Sequence, residues 1–420
     1  MLRRLPSLAG MLTLATLLLC GQASADQGMD YAKAYAAHDF FALRAMVAAD
    51  KGPDSEQKRF YSAAVLTAFN QPAAANKLIE PMLSKNIDTA LMPFLLQMRM
   101  QNDLRLYDYS GALDAERTLV DLYERKGDSR LGAAQNHIKL LSALSGTDPQ
   151  KVTRSGDSHI ILAAEDKGAY CAPVTVGIDP CYSFASDVPY SVLSRSEAQR
   201  LKLKVLPAGF QLPYGSGSIG ADVTVASSLL LGNLQYDDVV FLVVPDNAIS
   251  SGGVGLPGLL GYPIFAGMGA VTHSSKHVLD IPKSVPAKQV GNIALDGDSI
   301  LTLVQVRGHQ ALCRLDFRAP QTIFYKPYYA TYMDDLGGSR PKAVPAGSTA
   351  MNAPSAGLAV RDLTLTVAGH DVTLHRTAKV YLGKTLPQDY IMCDLGQDVL
   401  KNFKSYTLNL QSMSLTLTPN

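Results

Sequence analysis

Two aspartates lie in stretches of sequence that follow the same pattern. Asp187 lies within the stretch 185–193, and Asp316 begins the stretch 316–324. Each stretch comes after a strand-like triplet and continues through a proline into apolar residues. Carboxylates can act as general acids and bases in catalysis, so these two stretches are the first candidates for a catalytic site.

A second landmark repeats at nearly the same interval. Gly261 ends the triplet Leu-Leu-Gly after the first stretch, and Gly396 ends the triplet Asp-Leu-Gly after the second. The glycine-rich and β-branched composition around both predicts strands. Two landmarks at matching spacing indicate a diverged internal duplication. We therefore expect two β lobes of similar plan, spanning residues 155–285 and 288–420.

These landmarks resemble those of aspartic proteases, and most closely the bacterial retropepsin-like proteases. Residues 191–201 resemble that family's passage from strand to helix, and residues 215–220 resemble the glycine-rich tip of its flap. Residues 231–234 fit its next hairpin, and residues 396–408 its closing helix and strand. The resemblance implies two pseudo-symmetric, all-β lobes.

The resemblance also implies a pair of catalytic aspartates, one from each lobe. Such a pair shares one proton, because two carboxylates so close together cannot both ionise, and it activates a water molecule. Counting back equally from Val192 and from Ile323 places Asp316 in register with Ala185. On this alignment the first lobe lacks its aspartate.

The neighbouring positions depart from the family as well. The family has a threonine or serine and then a glycine after each aspartate, whereas this chain has Ser186 and Asp187, then Phe317 and Arg318. Phe317 cannot make the hydroxyl contact across the lobes. Asp187 is the nearby candidate for a replacement carboxylate, although it lies two residues late.

Three functions follow from these residues. The first is a protein that binds a peptide or protein segment in the cleft between the lobes, with weak or no proteolysis. The second is an active aspartic endopeptidase that uses Asp316 with Asp187, so enzymatic activity stays open. The third is an adaptor built on the N-terminal helices. The residues expected to contact a cleft ligand are Ser186, Arg318, Tyr214, Gly215, Ser216 and Gly217.

Asp187 and Arg318 occupy equivalent third positions and carry opposite charge. We predict that they form an ion pair across the two lobes, closing the place where a second carboxylate would stand. Arg318 is also expected to favour the ionised form of Asp316, because a nearby positive charge lowers a carboxyl pKa.

The N-terminus has the three parts of a secretory signal peptide, which we assign to residues 1–25. Two arginines come first, an apolar run covers residues 11–19, and Ala-Ser-Ala follows. The run is too short to cross a membrane, which takes about 20 apolar residues. We expect a periplasmic or secreted protein without a membrane span.

Residues 26–150 are predicted to form a helical domain. Between residues 31 and 144 glycine and proline are sparse and apolar residues recur at helical spacing, with breakers that divide the region into six helices. Residues 37–40 and 107–112 resemble the turns of tetratricopeptide-type repeats. Such a domain could offer a surface to a protein partner. The polar stretch 147–157 is predicted to be a linker.

Composition excludes some classes of partner. Apolar residues make up 47% of the chain and charged residues 18%, which is typical of a folded protein. Basic and acidic residues nearly cancel, at 38 and 37, so no basic excess suggests nucleic acid. No Cys-x-x-Cys or phosphate-loop pattern occurs, and His273 and His277 lie in a predicted hairpin that separates them. We expect neither metal nor cofactor.

Four cysteines follow the signal peptide, and three pairings are open. Closeness in sequence favours Cys171 with Cys181, around a turn-forming stretch, which leaves Cys313 with Cys393. Export would allow both bonds to form. The alternative is four buried free thiols.

Overall fold

The computed structural model describes most of the chain. The described residues are 25–84, 90–164, 170–173, 181–185, 188–214, 217–251, 254–285, 291–317, 319–332, 342–344, 355–360, 362–375, 378–381 and 390–420. All elements and contacts given below lie within these ranges.

Helices form the first part of the described chain. They are α1 (Ala25–Ala36), α2 (Phe40–Ala49), α3 (Glu56–Ala68), α4 (Pro72–Ser84), α5 (Met92–Arg105), α6 (Tyr109–Lys126) and α7 (Leu131–Leu144). The helix-breaking residues predict six helices here. The structure has one more because the turn at residues 37–40, where His38 has a φ of 52°, separates α1 from α2. Asp39 then caps α2 by accepting a hydrogen bond from the N–H of Ala42 at 2.9 Å.

The longest of these helices, α6, shows how local sequence sets helix ends. The Asp108 carboxylate accepts a hydrogen bond from the N–H of Gly111 at 2.9 Å and satisfies a donor that the first turn leaves free. Gly127 ends the helix in the left-handed conformation, at φ 62°, which glycine adopts without strain. Between these ends Ala112 and Leu119 are buried.

Strands dominate the remainder. The first group comprises β1 (Lys151–Arg154), β2 (Ser158–Ile161), β3 (Ala163–Ala164), β4 (Tyr170–Pro173), β5 (Cys181–Phe184), β6 (Ser191–Ser194), α8 (Arg195–Arg200), β7 (Val205–Tyr214), β8 (Gly217–Leu231), β9 (Leu234–Val244), β10 (Ser250–Ser251), β11 (Val254–Gly255), β12 (Gly258–Leu260), α9 (Tyr262–Met268), β13 (Ala270–Ser274) and β14 (Val278–Ile281). The second group comprises β15 (Ile293–Asp296), β16 (Ser299–Val306), β17 (His309–Leu315), β18 (Ile323–Phe324), α10 (Lys326–Tyr332), β19 (Lys342–Val344), β20 (Ser355–Val360), β21 (Leu363–Val367), β22 (His370–Leu374), β23 (Ala378–Tyr381), β24 (Cys393–Leu395), α11 (Gln397–Leu400), β25 (Phe403–Asn409) and β26 (Ser414–Pro419). The described chain is therefore mixed α and β.

Two large sheets repeat one arrangement of strands. The first sheet has the order β3-β4-β5-β12-β6-β9-β8-β7, and the second has the order β19-β20-β23-β18-β24-β17-β16-β21-β22. In the first, β12 lies between β5, to which it is parallel, and β6, to which it is antiparallel. In the second, β24 lies between β17, to which it is parallel, and β18, to which it is antiparallel. The duplicated landmarks of the sequence thus fall in matching places of two sheets.

A third sheet joins the two halves of the β region. Its order is β2-β14-β13-β25-β26, so strands from residues 158–281 pair with strands from residues 403–419. The central ladder pairs β13 with β25 over five residues, from Ala270 opposite Asn409 to Ser274 opposite Ser405. We call this the joining sheet.

The predicted linker is partly strand, which corrects the expectation for residues 147–157. β1 pairs antiparallel with β9, and it is attached to the first large sheet as a side branch. Its polar composition suggested a loop. Pairing with β9 and packing of the half-buried Val152 against the main core override that local signal.

The helices pack against both halves of the β region. Arg44 donates a hydrogen bond to the carbonyl of Gly291 at 2.7 Å, and Arg105 donates one to the carbonyl of Gly297 at 2.7 Å. The side-chain amide of Asn70 reaches the carbonyl of Leu410 at 2.9 Å. One continuous apolar core also contains residues from the helices and from all three larger sheets.

Two disulfides confirm the pairing favoured by the sequence. Cys171 bonds Cys181 with a Cα–Cα distance of 5.4 Å, and Cys313 bonds Cys393 with a Cα–Cα distance of 4.6 Å. Each bond links neighbouring strands within one large sheet, β4 with β5 and β17 with β24. Among the described helices, none has the length and apolar character needed to cross a bilayer.

Candidate functional site

The loops that follow β5 and β17 begin with the same backbone hydrogen bond. The N–H of Ala185 donates to the carbonyl of Leu260 at 2.9 Å. The N–H of Asp316 donates to the carbonyl of Leu395 at 3.0 Å. Ala185 and Asp316 therefore occupy corresponding places, one beside β12 and the other beside β24.

The two landmark glycines also make matching contacts. The N–H of Gly261 donates to the hydroxyl of Ser191 at 3.1 Å, and the N–H of Gly396 donates to the hydroxyl of Thr322 at 3.1 Å. A Cβ at Gly261 would lie 2.5 Å from backbone atoms, and one at Gly396 would lie 2.6 Å from backbone atoms. Each glycine is needed because the preceding loop approaches it too closely for a side chain.

A third pair of bonds closes the two loops. The N–H of Tyr262 donates to the carbonyl of Val188 at 2.9 Å, and the N–H of Gln397 donates to the carbonyl of Ala319 at 2.8 Å. In each loop the acceptor stands three residues after the first position. The loops share one backbone scheme and differ in the side chains that they carry.

The Asp316 side chain is turned into its own loop. It is 8% exposed, and its Oδ1 accepts a hydrogen bond from the N–H of Ala319 at 3.0 Å. In the other loop the corresponding donor, the N–H of Val188, reaches the backbone carbonyl of Ala185 at 3.2 Å. Ala185 is fully buried, so the first loop keeps its shape without a carboxylate at this position.

An ion pair links β17 with β24 two residues before Asp316, and its carboxylate, Asp394, is fully buried. Arg314 donates two hydrogen bonds to Asp394, at 2.9 and 2.6 Å, and Tyr325 donates a further one to the same carboxylate. Burial lowers the pKa of Arg314, but the hydrogen bonds and charge of Asp394 outweigh it and the net shift is upward. Burial and then Asp394 raise the pKa of Tyr325. The negative charge of Asp316 adds to both upward shifts.

Arg314, two residues before Asp316, is thus a paired cation that the sequence analysis missed. The sequence did carry a signal for it. The ladder partners Arg314 and Asp394 correspond to Ser183 and Leu259 of the first sheet, so a pair of opposite charges replaces an uncharged pair at matched positions. An aligned pair of this kind indicates a contact that only one copy of the duplication has.

Phe317 points towards the joining sheet. Its ring stacks on that of Tyr406, with centroids 5.5 Å apart and planes 9° from parallel. Its carbonyl accepts a hydrogen bond from the side-chain amide of Gln397 at 2.8 Å. The aromatic ring therefore contributes to packing between the loop and β25.

The predicted flap is a long hairpin of β7 and β8. Its strands pair up to Tyr214 opposite Gly217, next to the tip. The tip residues Gly215 and Ser216 lie outside the described residues, and so does the Tyr214 side chain.

Three other residues predicted to form the site also lie outside the described ranges. They are Ser186, Asp187 and Arg318. The ion pair between Asp187 and Arg318 therefore stays a prediction, as does the use of Asp187 as a second carboxylate.

Similar solved structures include retropepsin-like aspartic proteases. The retroviral protease-like domain of Ddi1 from Leishmania major has 13% sequence identity and a TM-score of 0.22, and the match covers 31% of this chain and 90% of that one. A retropepsin-like aspartic protease from Rickettsia conorii has 19% identity and a TM-score of 0.20, and the match covers 27% of this chain and 79% of that one. No protein-family model and no curated protein matches the sequence.

The described residues contain no group of three or more side chains that could hold a metal ion. His273 and His277 belong to the hairpin of β13 and β14, with ring centroids 6.2 Å apart. Burial, and then the charge of His277, lowers the pKa of His273 to about 4.

Proposed function

We propose that this protein is an exported relative of the aspartic proteases that binds peptide or protein segments between two β lobes, with weak or no proteolysis. The binding groove would lie between the β7–β8 hairpin and the loops that begin at Ala185 and Asp316. An extended segment there would be held by backbone hydrogen bonds, as in other proteins that bind peptides by strand addition.

The observation that carries this proposal is the pair of matched loops. The N–H groups of Ala185 and Asp316 make equivalent hydrogen bonds, and only the second residue has a carboxylate. Water activation by an aspartate pair needs one carboxylate to accept a proton while the other is protonated. A single carboxylate at these two positions, held by the N–H of Ala319, favours binding over hydrolysis.

Photo-crosslinking tests where peptides bind. The full chain would be irradiated with a pool of extended peptides that carry a photoreactive phenylalanine analogue, and crosslinked residues would be located by mass spectrometry. Crosslinks should fall in the β7–β8 hairpin and in the loops around 185–188 and 316–319. Crosslinks confined to α1–α7 would contradict the proposal and favour the helical adaptor.

A further inference from the structure

The β7 strand lies at an edge of the first large sheet. It pairs with β8 on one side, and no strand within the described residues pairs with it on the other. An open edge of this kind is where an extended peptide adds to a sheet. The backbone groups of β7 that face away from β8 therefore decide what can bind along the hairpin.

Gln211 provides the polar pair on this edge. It stands opposite Gly220 in the ladder, yet its own N–H and carbonyl both point away from β8, as in a non-hydrogen-bonded pair of an antiparallel ladder. Alternate residues face the same edge, so Pro213 is the next in line towards the tip, and proline has no N–H to offer. A peptide that adds to this part of β7 must use the N–H and carbonyl of Gln211.

A side chain of α7 already occupies both groups. The N–H of Gln211 donates to Oδ1 of Asn136 at 2.9 Å, and Nδ2 of Asn136 donates to the carbonyl of Gln211 at 2.8 Å. The side-chain amide thus makes the two bonds that the backbone of an added strand would make. Docking of α7 and strand addition at Gln211 exclude each other.

Apolar side chains of α7 also pack against β7. Leu140 and Leu144 are fully buried, in one cluster with Ala185 at the start of the first loop. Phe210 and Leu212 of β7 pack against the same cluster. The helix therefore packs on the hairpin and shares one apolar cluster with the start of the first loop, the two parts that border the proposed peptide groove.

We infer that α7 is an intramolecular cover of the peptide groove, and that it must leave β7 before an extended peptide can add to the edge at Gln211. This inference rests on the proposed function. It makes the described arrangement the closed form of the binding site, with the Asn136 amide as the polar latch.

Two variants of the full chain test the latch. Asn136→Ala removes both hydrogen bonds to Gln211, and Gln135→Ala is the matched control, an exposed neighbour on the same helix. Amide hydrogen exchange at Gln211 should be about fivefold faster in Asn136→Ala, the factor expected when a hydrogen bond of ordinary net strength is lost. The control should exchange like the wild type.

Peptide binding tests the cover. The probe is a fluorescein-labelled pool of random decapeptides, with affinity measured by anisotropy. Asn136→Ala should bind the pool about fivefold more tightly than the wild type and the control, since opening the groove costs less. Equal affinities of all three proteins would overturn the inference.

The two measurements separate the inference from the proposed function. If none of the three proteins binds the pool, peptide binding fails as the function, and hydrogen exchange alone decides whether α7 covers the edge. Faster exchange at Gln211 in Asn136→Ala would then support the cover, and unchanged exchange would overturn it.

Discussion

At the scale of residues, the two loops differ in one decisive side chain. Ala185 and Asp316 begin loops with the same backbone hydrogen bonds, and the alanine is buried where its counterpart carries a carboxylate. The first loop needs no carboxylate at this position, because the N–H of Val188 donates to the carbonyl of Ala185. The backbone arrangement of the loop therefore does not depend on a carboxylate at its first position.

The landmark glycines provide a test of the matched loops. Gly261→Ala and Gly396→Ala should each lower the free energy of unfolding by about 1 to 3 kcal/mol, because the new methyl group would clash with backbone atoms. Gly132→Ala on α7 is the control, since its Cβ would meet no atom within 4 Å and alanine favours a helix. Urea unfolding measures all three. A neutral effect at either landmark would contradict the packing described.

The ion pair of Arg314 with Asp394 gives a second prediction. Asp394→Asn should destabilise the protein by about 3 kcal/mol, because it removes the fully buried counter-charge of the largely buried Arg314 guanidinium. The double variant Arg314→Ser with Asp394→Leu copies Ser183 and Leu259 of the first sheet and should cost much less. Urea unfolding of both variants decides the matter, and an equal cost would show that the ion pair is not what the single variant disrupts.

At the scale of elements, the sequence predicts some of the helices, strands and disulfides but not others. The helical region and both disulfides follow from local periodicity and cysteine spacing, and the β7–β8 hairpin follows from the resemblance of residues 215–220 to a flap tip. The strand β1 and the joining sheet do not, because their partners lie far away along the chain. Within the candidate site the register of Ala185 with Asp316 was predictable from the repeat. The ion pair of Arg314 was not predicted, because it depends on the pairing of β17 with β24, whose residues are far apart in sequence.

The joining sheet should be sensitive to acid. On β13, the His273 ring lies 5.1 Å from that of Tyr406 on β25, and its pKa is lowered to about 4 by burial and then by His277. The unfolded chain takes up this proton near the ordinary histidine value, about 6.5, and the folded chain does not. The free energy of unfolding should therefore fall by about 3 kcal/mol as the pH drops from about 6.5 to about 4.

Replacing this histidine isolates its contribution. His273→Phe keeps an aromatic ring beside Tyr406 and removes the titration, so urea unfolding should depend less on pH across that interval. His159→Phe is the control, because His159 is exposed and pairs with Asp280. An unchanged acid sensitivity in His273→Phe would assign the effect to other groups.

At the scale of the whole molecule, the helices pack against the β region. The sequence predicts a helical domain with a surface for a partner. In the structure α7 packs on the β7–β8 hairpin, and α2 and α5 contact the second half of the chain. Local sequence could not predict this docking, since Asn136 meets Gln211 only in the folded chain. We expect ligand binding and movement of the helices to be coupled for this reason.

Our central proposal is that an incomplete carboxylate pair leaves a binding protein without efficient proteolysis. Its most direct test is digestion of an unbiased peptide library by the full chain, from acid to neutral pH, with products identified by mass spectrometry. Asp316→Asn, which keeps the shape of the side chain and removes its charge, is the matched variant. We predict that the wild type and Asp316→Asn give the same product profile, without specific cleavage. Specific cleavage by the wild type that Asp316→Asn abolishes would contradict the account and assign the protein to the active endopeptidases.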